Sequence, residues 1–405
     1  MNACILTIGD ELLQGNTVNT NSSWIGRTLI KYDIIVKKII TIGDDIESII
    51  IEMRYILNSG YDYIFVTGGL GPTHDDITKN AFVKLFNDKL IFNQSYYNKL
   101  KSKYEKNLIK MPSINRSQAM YPEKANIIPN NFGSALGMQY KDKNSNIFVM
   151  PGVPEEMKNM INDYILPELI NKPLSDNVIT IKTSGIMESK LAEKVNKIII
   201  KYSNSCKFAF LPSYYGVSFR INRIDHNINI QDVKDEFYKA MEPYSFGIND
   251  DTLENYIANK LITQKHTIAL AESCTGGNIA KRLSSIPGSS KYFLGGIVAY
   301  SNILKTKLLH VNLETLNKFG AVSKQVALEM ARGIRENTKA DIGISTTGIS
   351  GPDSLGKKPI GLVYIALVSS NKTIVKKYNF NFGRNAHREL TTTATLNIIR
   401  LSDLF

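Results

Sequence analysis

Two apolar runs, one at 63–67 and one at 267–270, each break off into a glycine-bearing loop and then give way to a helical segment. A run of four or five apolar residues is too short for a helix. Bounded by such loops, it reads as a strand buried on both faces. Strands of that kind need helices on either side of a parallel sheet, so the pattern confines the chain to α/β architectures. In the first stretch, strands are predicted at 4–8, 34–41, 63–67 and 146–150. They alternate with helices at 22–31 (capped by Asn21), 46–57, 77–86 and 155–169. From about residue 250 a second alternation begins, with a helix at 253–263, strands at 267–270, 296–300, 341–346 and 361–368, and a helix at 323–338 capped by Ser323.

Between these stretches the spacing predicts a compact unit: a strand at 178–183, a helix at 188–201, strands at 207–211 and 217–224, and a helix at 230–241. The segment 167–175, with two prolines, reads as a linker. The expected architecture is therefore two different three-layer α/β domains, at 1–170 and 250–405, joined by a small α/β domain at 176–247. A length of 405 residues supports that division, since it exceeds what one core usually serves.

Composition excludes several classes. Hydrophobic residues make up 43% and charged residues 21%, as in ordinary globular domains. No apolar stretch reaches the length of a membrane span, and no basic leader precedes the first strand, so a cytoplasmic location is expected. The three cysteines, Cys4, Cys206 and Cys274, are far apart and lack metal-ligand spacing. The five histidines are scattered. The net charge of +12 has no dense basic block or aromatic platform behind it, which makes nucleic acid a minor option and phosphorylated small molecules the better one.

Chemistry concentrates at the two loops. The sequence at 271–277, Ala-Glu-Ser-Cys-Thr-Gly-Gly, puts Ser273, Cys274 and Thr275 between a strand and a helix N-terminus. Nucleophile-type side chains would there sit beside backbone N–H groups that suit an oxyanion. The alternative is that Ser273 or Thr275 only caps the helix. At 68–76 the chain reads Gly-Gly-Leu-Gly-Pro-Thr-His-Asp-Asp. Gly68, Gly69 and Gly71 let backbone approach a phosphate, and Asp75 with Asp76 suits a divalent ion. The alternative for Asp76 is the cap of the next helix. Asp44 and the turn 151–156, with Gly152 and Glu156, are expected at the same sheet edge.

The segments 9–13, 67–76 and 151–157 resemble the molybdopterin-binding-like domain at the start of CinA proteins (competence/damage-inducible protein A). The resemblance continues through a middle unit that is KH-like in that family. It ends in a domain whose Glu-Ser-Cys-Thr-Gly-Gly is similar to the nicotinamide-nucleotide amidohydrolase signature. It thus spans essentially the whole chain.

The resemblance implies two reactions. The C-terminal domain would convert nicotinamide mononucleotide to nicotinate mononucleotide and ammonia without a cofactor, with Ser273 as nucleophile and Tyr300, Lys305 and Thr347 completing the centre. Arg384 and the loop Cys274, Thr275, Gly276 and Gly277 would bind substrate. A lysine can activate the serine when partial desolvation keeps its amine neutral. The N-terminal domain would hydrolyse ADP-ribose to AMP and ribose 5-phosphate, dependent on a divalent metal such as Mg²⁺ and aided by potassium. Asp44 and Asp76 would be its acidic residues, with Gly68, Gly69, Gly71, Thr73, Gly152 and Glu156 lining the site. Asn19 stands where many relatives carry Asp. Homodimerisation is also implied. The rival readings are a pterin or molybdenum-cofactor role for the N-terminal domain, and a non-enzymatic nucleotide-binding protein of competence or damage response.

Overall fold

The computed structural model describes residues 1–169 and 177–402. It divides into two compact units, Met1–Asn177 and Val178–Phe405. The linker expected at 167–175 begins inside the short helix Leu166–Leu169, and the rest of it lies outside the described residues.

The first unit is built on a six-stranded sheet in the order Ile35–Ile42, Asn2–Ile8, Tyr63–Thr67, Ser145–Met150, Gly137–Asp142, Asn126–Ile128. The first four strands are parallel, and the last two run antiparallel. The sheet is therefore mixed, where the sequence led us to expect a parallel one. Side chains two apart share a face, which splits the core in two. Cys4, Leu6, Ile64 and Val66 pack under the helices Ile46–Asn58 and Thr78–Leu85, with Met53 and Phe82 at the centre. Ala3, Ile5 and Phe65 face the opposite side, against Ile25 and Leu29 of Thr20–Leu29 and Met157 of Pro154–Met160.

Two local expectations change. Asn19, rather than Asn21, caps the first long helix: its side chain accepts the Ser22 N–H at 3.1 Å. Asn21 is turned away and donates to Thr67 Oγ1 and the Gly152 carbonyl. The helix expected at 155–169 is interrupted by a π-helical stretch, Ile161–Ile165.

The strand Asn2–Ile8 lies between Ile35–Ile42 and Tyr63–Thr67, so the chain leaves it first to one side and later to the other. A crevice opens at the carboxyl ends of strands where the winding reverses in this way.

The second unit holds two sheets. One is antiparallel, in the order Cys206–Ser213, Gly216–Arg223, Val178–Thr183, Ser245–Ile248. The helices Glu188–Tyr202 and Ile230–Ala240 bury Leu191, Val195, Val233 and Phe237 against it. The other sheet runs Phe293–Val298, Ile268–Glu272, Ile342–Gly348, Leu362–Val368, Thr373–Asn379. Its first three strands are parallel and its last two antiparallel. Leu253–Gln264, Asn278–Ser284 and Arg384–Arg400 cover one face. Asn302–Leu309 and Lys324–Thr338, the latter capped by Ser323 as expected, cover the other. No helix among the described residues is long and apolar enough to cross a membrane.

Candidate functional site

In the first unit the crevice is a cavity of about 420 Å³ lined by Asp44, Gly68, Gly69, Gly71, Asp75, Asp76, Gly152 and Glu156, together with Ile8, Gly9, Glu11, Ser134 and Ala135 among others. It gathers the site residues expected from the sequence, except Thr73, from three separate loops, at 44, 68–76 and 151–156. Gly68 allows its floor to be made of backbone. At φ +119° it sits where L side chains rarely go, and a Cβ there would lie 2.0 Å from the Ile8 carbonyl oxygen.

Asp76 does not cap the following helix, which starts at Thr78. Its carboxylate turns back to accept from the Gly71 N–H at 2.6 Å, the Thr73 N–H at 2.8 Å and Thr73 Oγ1 at 2.6 Å. Thr73 thus reaches the site only through Asp76, and the pair holds the glycine loop in shape. Asp44 accepts the Asp10 N–H at 2.8 Å, and Asp10 accepts the Asp44 N–H in return. Burial raises the Asp44 pKa above the usual carboxylate range, and the negative charges of Asp10, Glu11 and Asp75 add to the rise. The rim is thus an acidic cluster short of positive charge.

Among the described residues no three His, Cys, Asp or Glu side chains converge to hold a metal ion. Asp44 and Asp75 on the rim fit a divalent ion that shares its shell with phosphate oxygens and water, as Mg²⁺ usually does, rather than an all-protein cage. Asp76, whose two oxygens are occupied by the loop, fits a metal less well than the sequence suggested. Asn19 donates to Thr7 Oγ1 at 3.0 Å besides capping its helix, so it serves structure at the position where a carboxylate is missing.

Sequence reasoning missed the wall formed by Ser134 and Ala135. The Asn130 side chain accepts the N–H groups of Phe132 and Gly133 and donates to the Ala135 carbonyl and to Glu156. Burial raises the pKa of Glu156, while its bond from Asn130 and the nearby Lys103 pull the other way. The run Asn-Asn-Phe-Gly-Ser at 130–134 is turn chemistry, and it was the available signal.

In the second unit, Ser273 and Lys305 come together. Lys305 is 1% exposed, and its Nζ lies 3.1 Å from Ser273 Oγ, 2.7 Å from the Ala299 carbonyl oxygen and 3.1 Å from the Tyr300 carbonyl oxygen. Burial pushes its pKa down to about 8. Carbonyl oxygens only accept, so Nζ donates to both. A neutral amine then has its lone pair left for the Ser273 hydroxyl. Cys274, next in sequence, has its thiol pushed up to about 12 by burial, which leaves it inert as a nucleophile.

Not every N–H of the loop is open to a ligand. Glu272, buried at the strand end, accepts from Gly277 at 3.0 Å, Ile279 at 3.2 Å and Ala280 at 2.9 Å. The helix N-terminus expected to receive an oxyanion at Gly277 is therefore filled by the protein's own carboxyl group, and the Gly276 N–H goes to the Ser273 carbonyl. The amides of Cys274 and Thr275 find no oxygen acceptor among the described residues. Gly277, at φ +90°, makes the turn that Glu272 then clamps.

The other predicted residues fall around this pair. The parallel register Glu272 against Thr346 continues in the Ser273 N–H bond to the Thr346 carbonyl, which brings Thr347 beside Ser273. The Thr347 hydroxyl donates to the Ala321 carbonyl at 2.8 Å, and its oxygen can still accept. Thr346, which sequence reasoning passed over, meets Thr275 hydroxyl to hydroxyl at 2.8 Å. The Tyr300 ring is 59% exposed, and its hydroxyl accepts from Arg384 at 2.8 Å. Arg384 also donates to the Gly351 carbonyl, and Arg388, one turn on, donates twice to the Thr275 carbonyl. One helix thus ties three loops of the site together.

Two family models match the chain, a probable molybdopterin binding domain over residues 4–171 and the CinA C-terminal domain over residues 250–402. A putative competence-damage inducible protein of Clostridium tetani is 36% identical over 409 residues, which cover 99% of this chain and 99% of that one. The chain belongs to the CinA family. A CinA-like protein of Flavobacterium psychrophilum is 38% identical over 94% of this chain and 93% of its own length. The crystal structure of a competence/damage inducible protein from Agrobacterium tumefaciens is 37% identical, covering 36% of this chain and 93% of its own, with a TM-score of 0.35.

Proposed function

We propose that the second unit is an amidohydrolase that converts nicotinamide mononucleotide to nicotinate mononucleotide and ammonia. The observation that carries this reading is the Lys305 amine, held by two carbonyls with its third position on Ser273 Oγ. In the reaction Nζ takes the hydroxyl proton as Oγ bonds to the carboxamide carbon. The amides of Cys274 and Thr275 stabilise the oxyanion. Collapse breaks the C–N bond, and the proton held on Nζ leaves with ammonia. Water, giving its proton to the same amine, then cleaves the acyl ester and frees the acid. Arg384 takes the substrate phosphate. The test is ammonia release from nicotinamide mononucleotide by the purified chain and by Ser273→Ala. Equal rates would remove serine from the reaction, and no release from either would remove the substrate.

The cavity of the first unit favours a second activity, hydrolysis of ADP-ribose to AMP and ribose 5-phosphate. Glycine backbone suits a pyrophosphate, and the acidic rim suits a divalent ion held by Asp44 and Asp75. When bound, such an ion would neutralise charge on the leaving phosphate. AMP formation with and without added Mg²⁺ tests it. Tight binding of ADP-ribose with no AMP formed would leave this unit a binding domain.

A further inference from the structure

His387 plays no part in the chemistry above, yet it is 1% exposed and carries two polar nitrogens. It sits in the first turn of Arg384–Arg400, between Arg384 and Arg388. Its Nδ1 lies 2.9 Å from Ser350 Oγ. Its Nε2 is buried with no hydrogen-bond partner among the described residues. Burial pushes the imidazole pKa down, the Gly361 backbone works against that, and Arg384 adds to the fall. The ring therefore faces both ends of the segment 350–361.

That segment is tied at its base by two backbone bonds, Ile349 N–H to Leu362 carbonyl and Gly361 N–H to Ile349 carbonyl, both 2.8 Å. Above the base, Gly351 accepts from Arg384 at 3.0 Å. The Arg384 bond is exposed, and an exposed bond on a long side chain orders little by itself. The Ser350–His387 bond, one residue earlier, is partly buried and ends on a buried ring, where a hydrogen bond holds geometry better.

We propose that His387 is a positioning residue: through Ser350 it fixes the Gly351 carbonyl, and so the place of the Arg384 guanidinium that meets the anionic end of the substrate. This rests on the amidohydrolase reading for its kinetics, but the ordering of 350–361 stands apart from it.

The experiment uses the full-length chain with His387→Ala, Ser350→Ala and the conservative His387→Asn, which keeps a side-chain donor and acceptor. Ammonia release is measured with nicotinamide mononucleotide and with the riboside that lacks the phosphate. Amide hydrogen exchange over 350–361 is followed without substrate. His387→Ala and Ser350→Ala are expected to raise KM for the nucleotide about tenfold, the size of one lost hydrogen bond. The same variants should leave kcat within about twofold and KM for the riboside unchanged, and should speed exchange in the segment, with His387→Asn restoring both readouts. Unchanged exchange in both variants overturns the proposal, as does a fall in kcat with KM intact. If His387→Ala does not fold, Ser350→Ala carries the test alone. If the wild type releases no ammonia, the amidohydrolase reading fails, and the exchange rates still decide whether His387 orders the segment.

Discussion

An amine that already donates to two carbonyls can help a neighbouring hydroxyl in one way only, by lending its lone pair. For Lys305 that sets a pH dependence. Its pKa is pushed down to about 8, so the free base grows as pH rises through that value. Ammonia release is therefore expected to climb through about pH 8 and level off above it, measured as kcat/KM in overlapping buffers. The same depression makes the native state hold fewer protons than the unfolded chain between about 8 and the ordinary lysine value. Stability gained from this group thus rises with pH across that window and is lost as pH falls through it. Ser273→Ala and Lys305→Gln should each lower turnover by roughly a thousandfold or more while substrate still binds, as removal of one member of a nucleophile–base unit does. Asp76→Ala belongs to another kind of effect. It strips the glycine loop of three bonds and is expected to cost about 1–3 kcal/mol, read as a lowered melting temperature together with lost AMP formation. Ser273 and Lys305 were legible because a signature and a spacing carry them. Glu272 was not, because a carboxyl at a strand end reads alike in sequence whether it meets water or folds back onto three amides.

The helix Arg384–Arg400 is the element that sequence reading missed and that the site depends on most. Its buried face includes Thr391, Thr392, Thr393 and Thr395, which break the apolar period that marks a helix. The short helix Asn302–Leu309, which brings Lys305 inward, escaped for the same reason: Ile303 and Leu308 are exposed while a lysine is buried. By contrast Lys324–Thr338 was read to within a residue, cap included, because Val326, Met330 and Ile334 repeat at helical spacing. Arg388→Ala should act on the element rather than the chemistry. With the Thr275 carbonyl released, the 273–277 loop is expected to exchange its amides faster, and kcat to fall more than KM rises. Hydrogen exchange and steady-state rates on one preparation check both.

At the scale of the whole molecule, the fold class was legible because strands buried on both faces announce themselves by composition. The strands Gly137–Asp142 and Thr373–Asn379 were not foreseen, nor was the antiparallel direction of Gly137–Asp142 and Leu362–Val368 that makes both large sheets mixed. The candidate sites were half legible. Loops at strand ends could be found by eye, but which hydrogen bonds they spend on themselves could not. The two proposed activities rest on separate residues in separate units, so chelation is expected to divide them: EDTA should stop AMP formation from ADP-ribose and leave ammonia release at its untreated rate. A drop in both would place a metal in the second unit as well. Filling the helix N-terminus with Glu272 has one more result. Inorganic phosphate and sulfate meet the amides of Gly277, Ile279 and Ala280 already taken, so the dipole of this helix offers them no seat, and competition by these anions is expected at the Arg384 guanidinium instead.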